Sequence, residues 1–414
     1  MALSSQNTQP AEQQGSYRPA LIALTTLFFM WGFLTSLNDI LIPHLKSIFD
    51  LNYTQAMLVQ TAFFIAYFIM SIPAGIVVSR FGYRTGILVG LGVAALGAFL
   101  FYPAAALPSF PMFLIALFVL ATGITVLQVA ANPYVAILGP EKTASSRLTL
   151  SQALNSLGHT IGPYVGAAII LGGLGLTLKE LEALSKGDKA AMVQMPYLIL
   201  GAALFLLMII MAVVKLPVIS SVEDHKNHKL SDALQHPGLL LAAIGIFVYV
   251  GAEVSIGSFL VNFLGQPNIA GFTEEKAGQY VSYYWGGAMA GRFLGSWVMQ
   301  KIQPAKVLFY CGIAAGVLIL LTMLTTGHVA MYTILAVGFF NSVMFPTIFT
   351  LGINGLGKFT SQGSAIMIMC IAGGAVIPLL QGALADSVGI QTAFILPVLC
   401  YVYIAWFAWG RRKN

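Results

Sequence analysis

The sequence predicts an all-α membrane protein with twelve transmembrane helices in two six-helix bundles, and three observations carry that expectation. Of 414 residues, 58% are hydrophobic and only 8% charged, where a soluble globular domain carries about 25% charge. Largely apolar segments of about twenty residues or more, enough to cross the hydrocarbon of a bilayer, recur along the whole chain. They fall six and six about the longest charged connection, VEDHKNHKLSD at Val222 to Asp232.

In order, the first six segments lie near 20–45, 54–79, 85–103, 110–138, 145–172 and 196–215. The second six lie near 238–264, 273–299, 304–324, 329–354, 361–386 and 390–409. The organisation is a tail at 1–19, a bundle at 20–215, a linker at 216–237, a bundle at 238–410 and a tail at 411–414. Residues 1–19 are polar and rich in Gln and Ser, without the apolar core of a cleavable signal, so span one is expected to direct insertion.

The net charge of +6 would suit a nucleic-acid partner, but the cations stand singly in short loops and form no stripe, which argues against one. They report topology. With the N-terminus inside, fourteen of the twenty Lys and Arg residues lie inside, five outside (Lys46, Lys179, Lys186, Lys189 and Lys276), and Arg292 within a span. By the positive-inside rule both termini are cytoplasmic. Short loops and tails fit a bacterial inner membrane, where the Asn52-Tyr53-Thr54 sequon stays unmodified. Cys311, Cys370 and Cys400 sit in apolar spans without CxxC spacing or a neighbouring His, so they read as small hydrophobes, with no disulfide, metal cluster or cofactor.

The halves echo one another. GIVVSRFGYRTGILVG from Gly75 matches GRFLGSWVMQKIQPAKVL from Gly291, and NPYVAILG from Asn132 matches FPTIFTLG from Phe345, each pair about 215 residues apart. Such parallel repeats are the arrangement of the major facilitator fold, in which substrate binds at mid-membrane between rocking halves. GxxxG spacing at Gly86 and Gly90, and at Gly158, Gly162 and Gly166, permits close backbone approach. Pro133, Pro163, Pro346 and Pro378 punctuate spans four, five, ten and eleven.

The chemistry centres on span one. WGFLTSLNDILIPHLK, Trp31 to Lys46, places Asp39 deep in an apolar segment. A carboxylate at that depth costs about 2.5 to 3.5 kcal/mol on insertion scales, which marks a functional site. Thr35, Asn38 and Asp39 share a helical face at i, i+3 and i+4, a polar stripe turned from lipid. The plainer reading of Asp39 is a cap on a broken helix or the partner of a helix-end cation.

Amides recur at helical spacing elsewhere: Thr125, Gln128 and Asn132 in span four, then Gln152, Asn155 and His159 in span five. Amides donate and accept, which suits a neutral polyhydroxylated solute. The second half adds Asn262, Tyr283, Tyr284, Trp285 and Asn341, with Trp285 offering an aromatic face to a sugar ring. Glu253 is the other carboxylate within a span; on an ideal helix it lies nearly opposite Asn262, so both face one cavity only if Gly251 and Gly257 distort the turn. Its plainer reading is a structural pair with a neighbouring helix. Arg292 and Arg147 read as gating or loop-anchoring residues, Asp386 as solvated, and His159 as structurally satisfied.

WGFLTSLNDIL, QVAANPYVAILGPE, RLTLSQALNSLG, FPTIFTLGI and the Gly-Gly then Pro of span eleven resemble the fucose, glucose and galactose symporters of the major facilitator superfamily. The resemblance implies that Asp39 is a coupling carboxylate and that Gln152 and Asn155 touch substrate. Where the family has a second coupling acid this chain has Gln128, and an amide cannot take up and release a proton. Phe345 stands where a fucose-transporting member has a tyrosine, and Ser79 where an aspartate usually precedes Arg80.

The expected function is cation-coupled symport of a hexose such as glucose or galactose by alternating access. The resemblance to vertebrate members regarded as sodium-coupled favours sodium, with Asp39, Asn38 and Thr35 as its ligands. Gln128, Asn132, Gln152, Asn155, Glu253, Asn262, Trp285 and Asn341 are the candidate substrate contacts. The protein is expected to act as a monomer in the lipid bilayer. The alternatives are a proton-coupled fucose or hexose symporter and an exporter of drugs or lipids; an intramembrane enzyme lacks HExxH, GxSxG or paired aspartates.

Overall fold

The computed structural model describes residues 17–49, 51, 53–170, 184–214, 217 and 230–412, apart from the side chains of 37–40 and of some other helical positions. Residues 1–16 of the N-terminal tail, most of the 216–237 linker, the Asn52 sequon position and Lys179 lie outside the described residues.

Span one is Tyr17–Phe49. Spans two and three form one helical run, Tyr53–Ala106, whose two helices meet at Gly82. There φ is 83°, a left-handed value that a Cβ would strain, so the change of direction is taken at a glycine. Span four is Phe110–Ile137, span five Ala144–Ile170 and span six Gln194–Val213. Span seven is Pro237–Leu264, span eight Glu274–Val298 and span nine Pro304–Leu324. Span ten comprises Gly327–Asn341 and Met344–Ile353, and span eleven Thr360–Met369 and Gly373–Val388 about a 3-10 turn at Cys370–Ala372. Ile395–Gly410 is span twelve.

Nine of these stretches are long and apolar enough to cross a membrane among the described residues, one of them the 46-residue run that holds spans two and three. The two spans that fall short are five and eight, and the reason lies in their packing: they face one another across the junction of the halves. Protein, not lipid, covers their polar faces.

Within each half the spans form one bundle, with one on five and two and three on four and six in the first. In the second, seven packs on eleven and twelve, and eight and nine on ten. Between the halves, span five meets span eight, and span eleven meets the two-and-three run. Moving about 215 residues along the chain turns the first of these contacts into the second, so they are one duplicated contact. The prolines did not keep pace. Pro133 is accommodated within an unbroken span four, whereas Pro346 follows a break in span ten at Ser342 and Val343.

Small residues set the closest approaches. A Cβ on Gly32 would stand 2.0 Å from the carbonyl oxygen of Asn155, and one on Gly158 2.2 Å from that of Phe29. Spans one and five therefore touch backbone to backbone, as the glycine spacing predicts.

Candidate substrate and cation site

Thr35 on span one donates to the carbonyls of Trp31 (3.2 Å) and Gly32 (3.0 Å). Its hydroxyl oxygen also lies 3.4 Å from Nδ1 of His159 on span five. The side chains of Asn38 and Asp39 lie outside the described residues, although both positions belong to the helix of span one.

Gln128 is 5% exposed and donates from Nε2 to the Tyr67 hydroxyl at 2.6 Å. One turn on, Asn132 is wholly buried, and neither of its amide atoms has a partner among the described residues. Gln152 is buried on span five. Asn155 donates from Nδ2 to the Phe28 carbonyl at 3.0 Å, so part of its hydrogen-bonding capacity ties spans five and one together. Gln128 and Asn132 are thus buried on span four and Gln152 on span five, and His159 and Thr35 meet where spans five and one pack.

From the second half, Trp285 stands 6.3 Å, ring centre to ring centre, from His159. A Cβ on Gly257 would be 3.3 Å from its indole, so that glycine gives the ring its room. Glu253 belongs to a continuous span seven; its Oε1 accepts from the Tyr249 hydroxyl at 2.7 Å and lies 3.9 Å from the Arg292 guanidinium. Both of these partners belong to its own half. Asn262 is exposed on the same helix, and with no distortion at Gly251 or Gly257 the two residues point to different surroundings. Asn341 is wholly buried: Nδ2 donates to the Tyr284 hydroxyl (2.7 Å) and Oδ1 accepts from that of Tyr401 (2.6 Å). Both ends of its amide are occupied, and it braces spans eight, ten and twelve.

Tyr67, Tyr249 and Tyr401 are participants that sequence reading missed. Tyr249 was discoverable, four residues before Glu253 on one helical face; Tyr67 and Tyr401 reach their amides from distant spans, where no local spacing points to them. Asp386 is exposed. Arg147 anchors the connection after span four, donating to the carbonyls of Val135 (3.2 Å), Ala136 (2.5 Å) and Pro140 (2.8 Å). A fixed cation suits that helix C-terminus.

Most cross-half hydrogen bonds among the described residues gather at one end, that of the connections near 139–145 and 350–360. Ser145 meets Thr350 at 2.6 Å, Ser146 donates to the Ser296 carbonyl at 2.6 Å, and Ser361 donates to the Tyr83 hydroxyl at 3.4 Å. Deeper in, Ser364 donates to the Val129 carbonyl at 3.0 Å and Arg292 to the Ser156 hydroxyl. Beyond this seal lies a cavity of about 1110 Å³, lined by Tyr83, Ser145, Thr350 and the connections near 139–142, 299–305 and 353–357. None of the candidate substrate residues lines it, so it is a vestibule on the far side of the seal.

Two duplicated six-helix bundles meeting on polar faces within a membrane define a transporter of the alternating-access kind. The chain belongs to the Major Facilitator Superfamily, whose family model matches residues 22–377. It is 54% identical over 395 residues to a glucose/galactose transporter of Brucella abortus, covering 95% of this chain and 94% of that one. It is 36% identical over 419 residues to the L-fucose-proton symporter of Escherichia coli, covering 98% and 95%. Among solved structures, an E. coli fucose:proton symporter superimposes with a TM-score of 0.87 at 34% identity, over 96% of this chain and all of that one. A crystal structure of a major facilitator transporter in the outward conformation gives 0.88 at 35% identity, with the same coverage. Family membership makes this chain a multi-pass membrane transporter and not an enzyme.

Proposed function

We propose that the protein is a secondary active sugar transporter that carries a hexose, glucose or galactose, inward with a cation, sodium rather than a proton. The observation that carries this reading is the set of amides on spans four and five, Gln128 and Gln152 buried and Asn155 bonded to span one, with His159 of span five near both Thr35 and Trp285. Paired donors and acceptors against one aromatic ring suit vicinal hydroxyls and a sugar's apolar face, and suit a drug or lipid poorly. The relatives named as glucose/galactose transporters support the substrate class.

Sodium is favoured by the amide at 128. Asp39 then supplies the only charge of the ion's shell, and Asn38 with the Thr35 hydroxyl oxygen completes it. The proton reading is favoured by the relatives named as L-fucose-proton symporters, in which case Asp39 carries the proton alone. Bundle boundaries at 20–215 and 238–410, action as a monomer, a bacterial inner membrane and cytoplasmic termini belong to the same proposal.

Labelled glucose uptake into proteoliposomes tests it, comparing inward sodium and inward proton gradients at matched membrane potential. Accumulation driven by sodium alone is expected; accumulation driven by protons alone overturns the sodium assignment, and none with either overturns hexose symport. Asp39→Asn is expected to abolish accumulation while sparing sugar exchange, and full accumulation by that variant ends its coupling role.

A further inference from the structure

One cation sits inside the membrane region of the second half, and its bonds are unequally spent. Arg292 on span eight gives Nη1 to the Ser156 hydroxyl of span five, across the junction of the halves, and Nε to the Ser342 carbonyl at 3.4 Å. Glu253, the carboxylate of its own half, waits at 3.9 Å, beyond hydrogen-bond length. A guanidinium does not deprotonate in proteins, and a carboxylate is its stronger partner. The arginine is thus held toward a neutral hydroxyl in one half while its natural counter-ion stands behind it in the other.

The geometry on each side keeps that competition balanced. Glu253 is restrained by the Tyr249 hydroxyl, which lies 2.7 Å from its Oε1 and 3.1 Å from the Asn341 carbonyl. Ser156 donates to the Gln152 carbonyl at 3.0 Å, which points its hydrogen along its own helix and leaves its lone pairs to accept from Arg292. Gln152 and Asn155 belong to the same turn. When the halves part at this end, the guanidinium loses Ser156, and closing the gap to Glu253 replaces the lost bond without exposing a bare charge.

We propose that Ser156 and Glu253 are opposed positioning residues for Arg292, Ser156 drawing it across the junction to hold the seal and Glu253 drawing it back to release the seal. What span five's amide face binds rests on the hexose reading; the competition for Arg292 does not. The test is hydrogen–deuterium exchange of the purified, membrane-embedded protein, followed at the connections 139–145 and 350–360 that flank the seal. Ser156→Ala is expected to raise exchange there roughly tenfold, the worth of one hydrogen bond to a charged group. Glu253→Gln is expected to lower exchange there by a similar factor, with protection in spans nine and twelve unchanged in both variants.

A purely structural pair predicts that both substitutions loosen the fold and raise exchange, and that result, or no change in either, overturns the proposal. If Glu253→Gln does not fold, Glu253→Asp is read instead: it keeps the charge one methylene further away, and a rise in exchange at the seal again overturns it. The readout requires neither sugar nor an ion gradient, so failure of the transport assay leaves this result standing, and the reverse.

Discussion

Each end of the Asn341 amide is already engaged in this conformation: Tyr284 and Tyr401 hold one hydrogen bond apiece in a fully buried setting. Asn341→Ala should strand two hydroxyls and cost about 1–3 kcal/mol of stability per stranded group, read as a lowered melting temperature, while the KM for sugar in the folded fraction stays unchanged. Gln128 is the contrary case, held by one bond to Tyr67 and placed where a carboxylate would create a second acid. On the proposed sodium coupling, Gln128→Glu should add a proton-driven component to uptake, seen as accumulation under a proton gradient larger than the parent's. Such differences between residues were only partly legible. The i, i+3 and i+4 spacings picked out Thr35, Gln128, Gln152 and Asn155, which are buried or half-buried, because a helix makes neighbours of those positions. The tyrosine clamps join spans separated by tens to hundreds of residues, and only the assembled bundle brings them together.

At the scale of single spans, the contact between spans one and five is the least forgiving. Gly158→Val would drive a branched side chain into the Phe29 carbonyl; overpacking of this kind costs about 1–3 kcal/mol or more. The folded yield of that variant should fall sharply in size-exclusion chromatography, whereas Gly286→Ala, with nothing within 4 Å of the added carbon, should purify like the parent. Span number and order were legible from hydropathy, since twenty apolar residues have few other uses. The break in span ten and the 3-10 turn in span eleven were not, because the same proline that marks a break at Pro346 sits in an unbroken helix at Pro133.

The whole molecule is a duplicated bundle, and its repeat was visible in the sequence because both copies kept their glycine, proline and basic-turn positions. What holds the two copies together at the sealed end was less visible. Single serines and threonines at 145, 146, 296, 350, 361 and 364 carry no pattern until the halves are set face to face. Their chemistry bears on how little force the transporter needs. Each hydroxyl bond contributes only about 0.5–1.5 kcal/mol net, since water replaces it on opening, whereas an apolar seam would forfeit about 25 cal/mol for every Å² wetted. A junction fastened by hydroxyls leaves the open and shut forms close in free energy. Direction is then set by whichever solute is plentiful on one side, and the same protein should run backwards, exporting preloaded sugar, when the gradients are reversed.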